Sequence, residues 1–246
     1  MKTIGLIGGM SWESSVEYYR IINQTVRRLL GGQHSARSLM CSVDFHDIEL
    51  LQNERRWDEA AQEMITCAKS LERGGADFIV LCTNTMHKLA PDIESEISIP
   101  FLHIGDATAA CIKQCGIARV GLLGTKFTME EDFYKGRLMD RHGLEVLVPD
   151  AEDREIIHDV IYNELCQGEI VADSKREYLR IIEQLSEQGA QGVILGCTEI
   201  SLLVKPEDTA TQLFDTTRIH AEAAVALALN RGAVLELKQA LEQATG

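Results

Sequence analysis

Gly75-Ala-Asp-Phe-Ile-Val-Leu-Cys-Thr83-Asn84-Thr85 is answered later in the chain by Gly189-Ala-Gln-Gly-Val-Ile-Leu-Gly-Cys197-Thr198-Glu199. The two copies are offset by 114 residues, so Thr83 and Cys197 hold the same place in each. Both are small residues with an O–H or S–H group, standing just past an apolar run. A fold made from two copies of one unit can present equivalent loop tips to the two sides of a bound molecule. One proton-transfer group on each side is what inversion of a stereocentre requires.

The likeness extends outward from these loops. Residues 60–73 and 176–188 precede them with apolar side chains at helical spacing, and each segment stops at glycine, which accepts the positive φ that follows a helix end. Further upstream, Ile4-Gly-Leu-Ile-Gly8 resembles Val120-Gly-Leu-Leu-Gly124, so each half opens on a short buried strand and a glycine turn. A period above a hundred residues fits duplicated domains better than a solenoid, whose repeats run to about 20–50 residues. Strands are expected at 3–8, 38–43, 77–82, 101–104, 119–123, 144–148, 192–196 and 212–215, with helices between them. Asp106 and Asp215 are candidate N-caps. The alternation predicts an α/β protein of two similar domains, each a mainly parallel sheet flanked by helices. The expected division is 1–114 plus about 216–246 for the first domain and 115–215 for the second, with the active site in the cleft between them. Ligands of such folds bind at the carboxyl ends of strands.

The chain has 246 residues, 45% hydrophobic and 25% charged, an ordinary balance for a globular protein. No stretch approaches the roughly 20 apolar residues of a membrane span. The opening Met1-Lys-Thr-Ile-Gly-Leu-Ile-Gly reads as a strand and turn rather than a cleavable signal, so a cytoplasmic location is expected. The net charge of −14 argues against nucleic acid, whose phosphates need clustered Lys and Arg. A small anion would have to be held locally, by helix N-termini and placed donors. Seven cysteines at irregular spacings include no Cys-x-x-Cys, and no His-x3-5-His cluster occurs, so neither a disulfide framework nor a metal site is expected. Cys197 stands apart, since a thiol at a strand-to-helix tip can be exposed and its pKa lowered by the helix.

The remaining strand-end loops are Gly8-Gly-Met10-Ser11 and Gly124-Thr125-Lys126-Phe127-Thr128. The first is either a tight turn or a carboxylate cradle of backbone N–H groups; the second supplies hydroxyls and one ammonium. Neither has the Gly-x4-Gly-Lys-Ser/Thr spacing of a phosphate loop, and Gly-x-Gly-x-x-Gly is absent.

Gly8-Gly-Met-Ser-Trp-Glu-Ser14, Cys-Thr83-Asn-Thr-Met-His87, Val120-Gly-Leu-Leu-Gly-Thr125 and Gly196-Cys-Thr-Glu199, in this order over nearly the whole chain, resemble the aspartate/glutamate racemase family. That family also includes hydantoin racemases, maleate isomerases and arylmalonate decarboxylases. The resemblance implies two Rossmann-like domains, cofactor-free α-proton transfer on a small amino acid, frequent homodimers, and Thr83 and Cys197 as the catalytic pair. It implies substrate contacts from Met10, Ser11, Gln52, Asn84, Thr85, Thr125, Thr128, Thr198 and Glu199. In typical members the first loop reads Cys-Asn-Thr, whereas here Thr83 replaces that cysteine.

Cys82 is one residue early, and in extended chain it should point to the opposite face. Cys197 as thiolate is a credible base, while a threonine hydroxyl donates a proton far better than it removes one. In the family the C-terminal cysteine serves the L-substrate, so a preference for the L-enantiomer of aspartate or glutamate is expected. Glu199 could accept the substrate ammonium or cap a helix, and His87 could refill Thr83 or simply be packed. Gln52, Arg55, Arg56 and Lys126 are candidates for the distal carboxylate. A single-thiol decarboxylase or isomerase, a racemase of cyclic substrates and a degenerate amino-acid sensor remain open as alternatives.

Overall fold

The computed structural model describes residues 1–230. The chain divides into two compact units, one built from Met1–Ile104 with the stretch from His220 on, the other from Gly105–Ile219. Residues 231–246 of the expected first domain lie outside the described residues.

The first unit runs β1 (Ile4–Gly8), α1 (Trp12–Leu30), β2 (Ser38–Ser42), α2 (Phe45–Asn53), α3 (Trp57–Arg73), β3 (Phe78–Leu81), a 3-10 turn Thr85–Leu89, α4 (Ala90–Glu96) and β4 (Phe101–Leu102). Its four strands are parallel in the order β2-β1-β3-β4. Strands of a parallel sheet are covered on both faces, and the residues sort accordingly. Ile4, Leu6, Phe78, Val80 and Cys82 pack with Tyr18, Ile21, Ile22 and Val26 of α1 and with Ala221, Ala224, Val225 and Ala228. Ile7, Ile79 and Leu81 face Ile48, Met64, Leu71, Met86 and Ile93. Each fully buried aliphatic or aromatic side chain contributes roughly 1.5–3 kcal/mol. Helix α2 lies where no helix is expected from the sequence; its Asp44 cap accepts from His46 N at 3.0 Å, and only Ile48 and Gln52 of its nine residues are buried. A single buried stripe this narrow leaves little periodic signal.

The second unit continues α5 (Ile104–Gln114), β5 (Arg119–Gly124), α6 (Lys126–Glu130), α7 (Lys135–His142), β6 (Glu145–Leu147), α8 (Ala151–Asn163), α9 (Ala172–Glu187), β7 (Gly192–Gly196), α10 (Ile200–Leu203) and β8 (Gln212–Asp215), and α11 (Thr216–Ala228) returns the chain to the first unit at His220. Its strands are again all parallel, in the order β6-β5-β7-β8. The two sheets are thus built to one plan. Helix α5 begins ahead of Asp106, so that residue is not an N-cap. Its carboxylate instead binds Arg137 (2.7 and 2.6 Å) and His142 (2.8 Å). Asp215 does cap α11, accepting from the backbone N–H groups of Thr217 (2.9 Å) and Arg218 (3.2 Å). Among the described residues no helix is long and apolar enough to cross a membrane.

Candidate functional site

In the first unit β1 and β3 are neighbours, with Ile7 opposite Leu81, so the loops that follow them leave the sheet side by side. This is the position at which doubly wound sheets hold ligands. The turn after β1 depends on Gly9, at φ +96°, where a Cβ would stand 2.2 Å from the Val43 carbonyl oxygen. Gly9 N–H donates to Ser15 Oγ (2.7 Å), and Ser11 Oγ caps α1 by accepting from Ser14 N (3.4 Å). These two N–H groups therefore already serve the helix start. Met10 is buried in the apolar layer beside Ile48 and Met86.

After β3 the two candidates part in their surroundings. Cys82 continues the Phe78/Val80 face into the apolar layer under α1, fully buried, and burial pushes its thiol far up. Thr83 lies past the strand end, its N–H turned back to Leu81 O at 2.9 Å, with Asn84 and Thr85 beside it, all buried. Gln52 of α2 reaches this loop, its Nε2 lying 3.0 Å from Met86 Sδ. His87 has both ring nitrogens engaged by backbone: Nδ1 lies 2.7 Å from Thr83 O, and Nε2 accepts from Ile104 N at 3.1 Å. Both ring nitrogens are thus taken up by the main chain.

The second unit repeats the arrangement with different chemistry. Gly124 of β5 stands opposite Gly196 of β7. A Cβ at Gly196 would come 2.6 Å from Leu123 O, so the close approach of these strand ends requires glycine. Thr125 caps α6, accepting from Thr128 N (3.3 Å), and the two buried hydroxyls lie 3.2 Å apart. Past Gly196 the chain turns sharply into α10, leaving Cys197 partly exposed between buried neighbours. Its Sγ donates to Glu199 Oε2 at 3.0 Å, and Thr198 Oγ1 donates to the same oxygen at 2.6 Å.

The Cys197 thiol is consequently pushed up, not down: burial is the largest cause, followed by the charge of Glu199 and the neighbouring Cys166. The expected lowering by a helix start does not operate, because α10 is only four residues long and a carboxylate stands closer. The Cys-x-Glu spacing at a tight turn is the signal that could have disclosed this contact, as Thr83 and His87 four apart could have disclosed theirs.

Of the cations considered for a distal carboxylate, Arg56 is bound to Glu54 (2.7 Å) and Glu59 (2.6 Å) at the surface, and Lys126 is paired with Glu155. Arg55 is exposed, in the left-handed region at φ 56°. Gln52 is the buried candidate. Among the described residues no group of three His, Cys, Asp or Glu could hold a metal ion.

Each of the two parallel α/β units carries small buried polar residues just past adjacent strand ends. Residues 7–224 match the sequence profile of the Asp/Glu/hydantoin racemase family. A candidate Asp/Glu racemase of Yersinia pestis is 56% identical, superposes with a TM-score of 0.87, and is matched over 93% of this chain and 100% of its own. An aspartate racemase homologue from Pyrococcus horikoshii OT3 is 36% identical over the same shares, with a TM-score of 0.81. The broad specificity amino-acid racemase RacX of Bacillus subtilis (strain 168) is 23% identical over 90% of this chain and 96% of its own. The chain belongs to the Asp/Glu/hydantoin racemase family. It is an isomerase, of the amino-acid racemase kind.

Proposed function

We propose that the protein racemises aspartate, glutamate or both without a cofactor, with Cys197 as the base toward the L-enantiomer and Thr83 as its partner on the opposite face. The observation that carries this reading is the unequal filling of equivalent strand ends: a thiol hydrogen-bonded to a carboxylate after β7, a hydroxyl after β3.

In the resting protein the raised pKa keeps Cys197 as a thiol. It becomes a base when its proton passes to Glu199 Oε2, 3.0 Å away, giving thiolate and carboxylic acid. Glu199, a candidate for the substrate ammonium, is thereby assigned to the thiol. The thiolate takes the α-proton of the L-substrate, and the electron pair moves into the α-carboxylate as an enediolate. Asn84, Thr85 and Thr198, with Met10, Ser11, Thr125 and Thr128 shaping the loops beside them, hold that carboxylate with preorganised donors. The Thr83 hydroxyl then gives its proton to the other face and is recharged from water, and the hydroxide so formed is neutralised by the proton that Glu199 took up, which restores the thiol and the carboxylate. Starting from the D-enantiomer, Thr83 would have to act as a base, for which a hydroxyl is poorly suited. Gln52 binds the distal carboxylate through its amide N–H groups; being uncharged, it selects only loosely for a charged side chain.

The net charge of −14 argues against nucleic acid as a partner and leaves a free amino acid to be held by local donors; we place the protein off the membrane, in the cytoplasm, as a homodimer. The test is Thr83→Cys. A thiol at this position should raise turnover of D-aspartate toward that of L-aspartate in a polarimetric assay. Unchanged D-turnover in the folded variant would remove Thr83 from the proton path.

A further inference from the structure

We infer that His87 is a positioning residue that sets the proton-return step by holding the main chain of Thr83, an inference that rests on the role given to Thr83 above. Its ring bridges two backbone groups of opposite character. Ile104 N can only donate, so Nε2 is the acceptor at 3.1 Å; Thr83 O can only accept, so the proton sits on Nδ1, 2.7 Å away. A single neutral tautomer satisfies both contacts. The ring is 1% exposed and fixed in place by edge contacts to Phe101 (5.5 Å between centroids), His103 (4.6 Å) and His220 (5.8 Å).

The far anchor is itself held. Ile104 follows Leu102, whose carbonyl oxygen accepts from His220 Nε2 at 2.9 Å, while His220 Nδ1 accepts from Tyr18 OH at 2.9 Å. Tyr18 and His220 are fully buried. Residues 102–104 are thus pinned by two imidazoles, one of which extends to the Thr83 carbonyl. Thr83 needs such support because β3 ends at Leu81, and beyond it Thr83 N–H turns back to Leu81 O at 2.9 Å instead of continuing the sheet ladder. The hydrogen bond from His87 is the tether that fixes the carbonyl, and with it the direction of the Thr83 side chain. The Cys197 carbonyl is held within its own loop, by Ile200 N–H at 3.2 Å, so loosening His87 should impair one of the two proton transfers and spare the other.

The test separates these transfers in a single sample. L-Aspartate is incubated with enzyme in deuterium oxide, and loss of the α-proton signal is read beside formation of D-aspartate. Four proteins are compared: wild type, Thr83→Val, His87→Ala and His87→Asn, each checked for folding by circular dichroism. Asn keeps an N–H donor near the position of Nδ1. His87→Ala should match Thr83→Val, with exchange within a few-fold of wild type and inversion reduced by about 10- to 100-fold, the scale expected of a misplaced reacting group. His87→Asn should recover most of the inversion.

If exchange and inversion fall together in folded His87→Ala, the residue merely supports the fold and the inference is overturned. The same holds if His87→Asn inverts no better than His87→Ala, or, should the alanine variant not fold, no better than His87→Gln, which lacks a donor at the Nδ1 position. Wild-type inversion in Thr83→Val would instead overturn the role of Thr83 itself, and this inference with it.

Discussion

Cys197 and Glu199 are coupled closely enough that neither can be altered alone. The carboxylate raises the thiol's pKa and accepts its S–H, and in the proposed mechanism it takes the thiol's proton. Replacing Glu199 by Gln removes the negative charge, so alkylation of Cys197 by iodoacetamide should move to lower pH than in the wild type. The sign follows from the electrostatics: without the carboxylate the thiolate is less disfavoured and its pKa falls. Turnover of L-aspartate at neutral pH should nevertheless drop, because the proton acceptor is gone. Faster turnover alongside easier alkylation would show that Glu199 only restrains the thiol. In the wild type, α-proton removal should increase with pH beyond the ordinary thiol range near 8.5, since the thiolate fraction is still growing there.

Much of this was legible at the level of single residues. The burial of Cys82 follows from the two-residue period of a strand, and the structure puts it in the apolar layer with Phe78 and Val80. The direction of the Cys197 pKa was not legible, because it depends on which way the Glu199 carboxylate turns in a tight loop. A sequence can give the spacing of two residues but not the rotamers that bring an S–H against a carboxylate.

Among the elements, the strand ends carry the chemistry, and their close packing sets what they tolerate. Gly196→Ala would place a Cβ 2.6 Å from Leu123 O and 3.0 Å from Leu122 Cδ1, contacts that only a shift of β7 can relieve. Overpacking of this kind costs about 1–3 kcal/mol. Cys197 is the next residue, so the variant should show both a lower melting temperature and a loss of α-proton exchange exceeding what the unfolded fraction explains. A wild-type exchange rate would mean that the position of Cys197 is insensitive to the strand end. Long amphipathic helices such as α1, α3 and α9 were readable because their buried residues recur at helical spacing. Helix α2 was not, nor was the break between α6 and α7. With five and eight residues, each is shorter than a pattern needs to declare itself.

For the molecule as a whole, duplication explains the architecture and its later divergence explains the chemistry. Both units keep the same parallel strand order, and both keep glycine at the strand ends beside the site. The groups past those strands have drifted apart, to a hydroxyl tethered by its own carbonyl and a thiol leaning on a carboxylate. A symmetric fold with an asymmetric pair of acids should run one proton transfer better than its mirror image. The most direct measurement is proton NMR of L- and D-aspartate incubated separately with the enzyme in deuterium oxide, following loss of each α-proton signal. The account predicts rapid loss from the L-enantiomer and much slower loss from the D-enantiomer; equal rates from the two would contradict it.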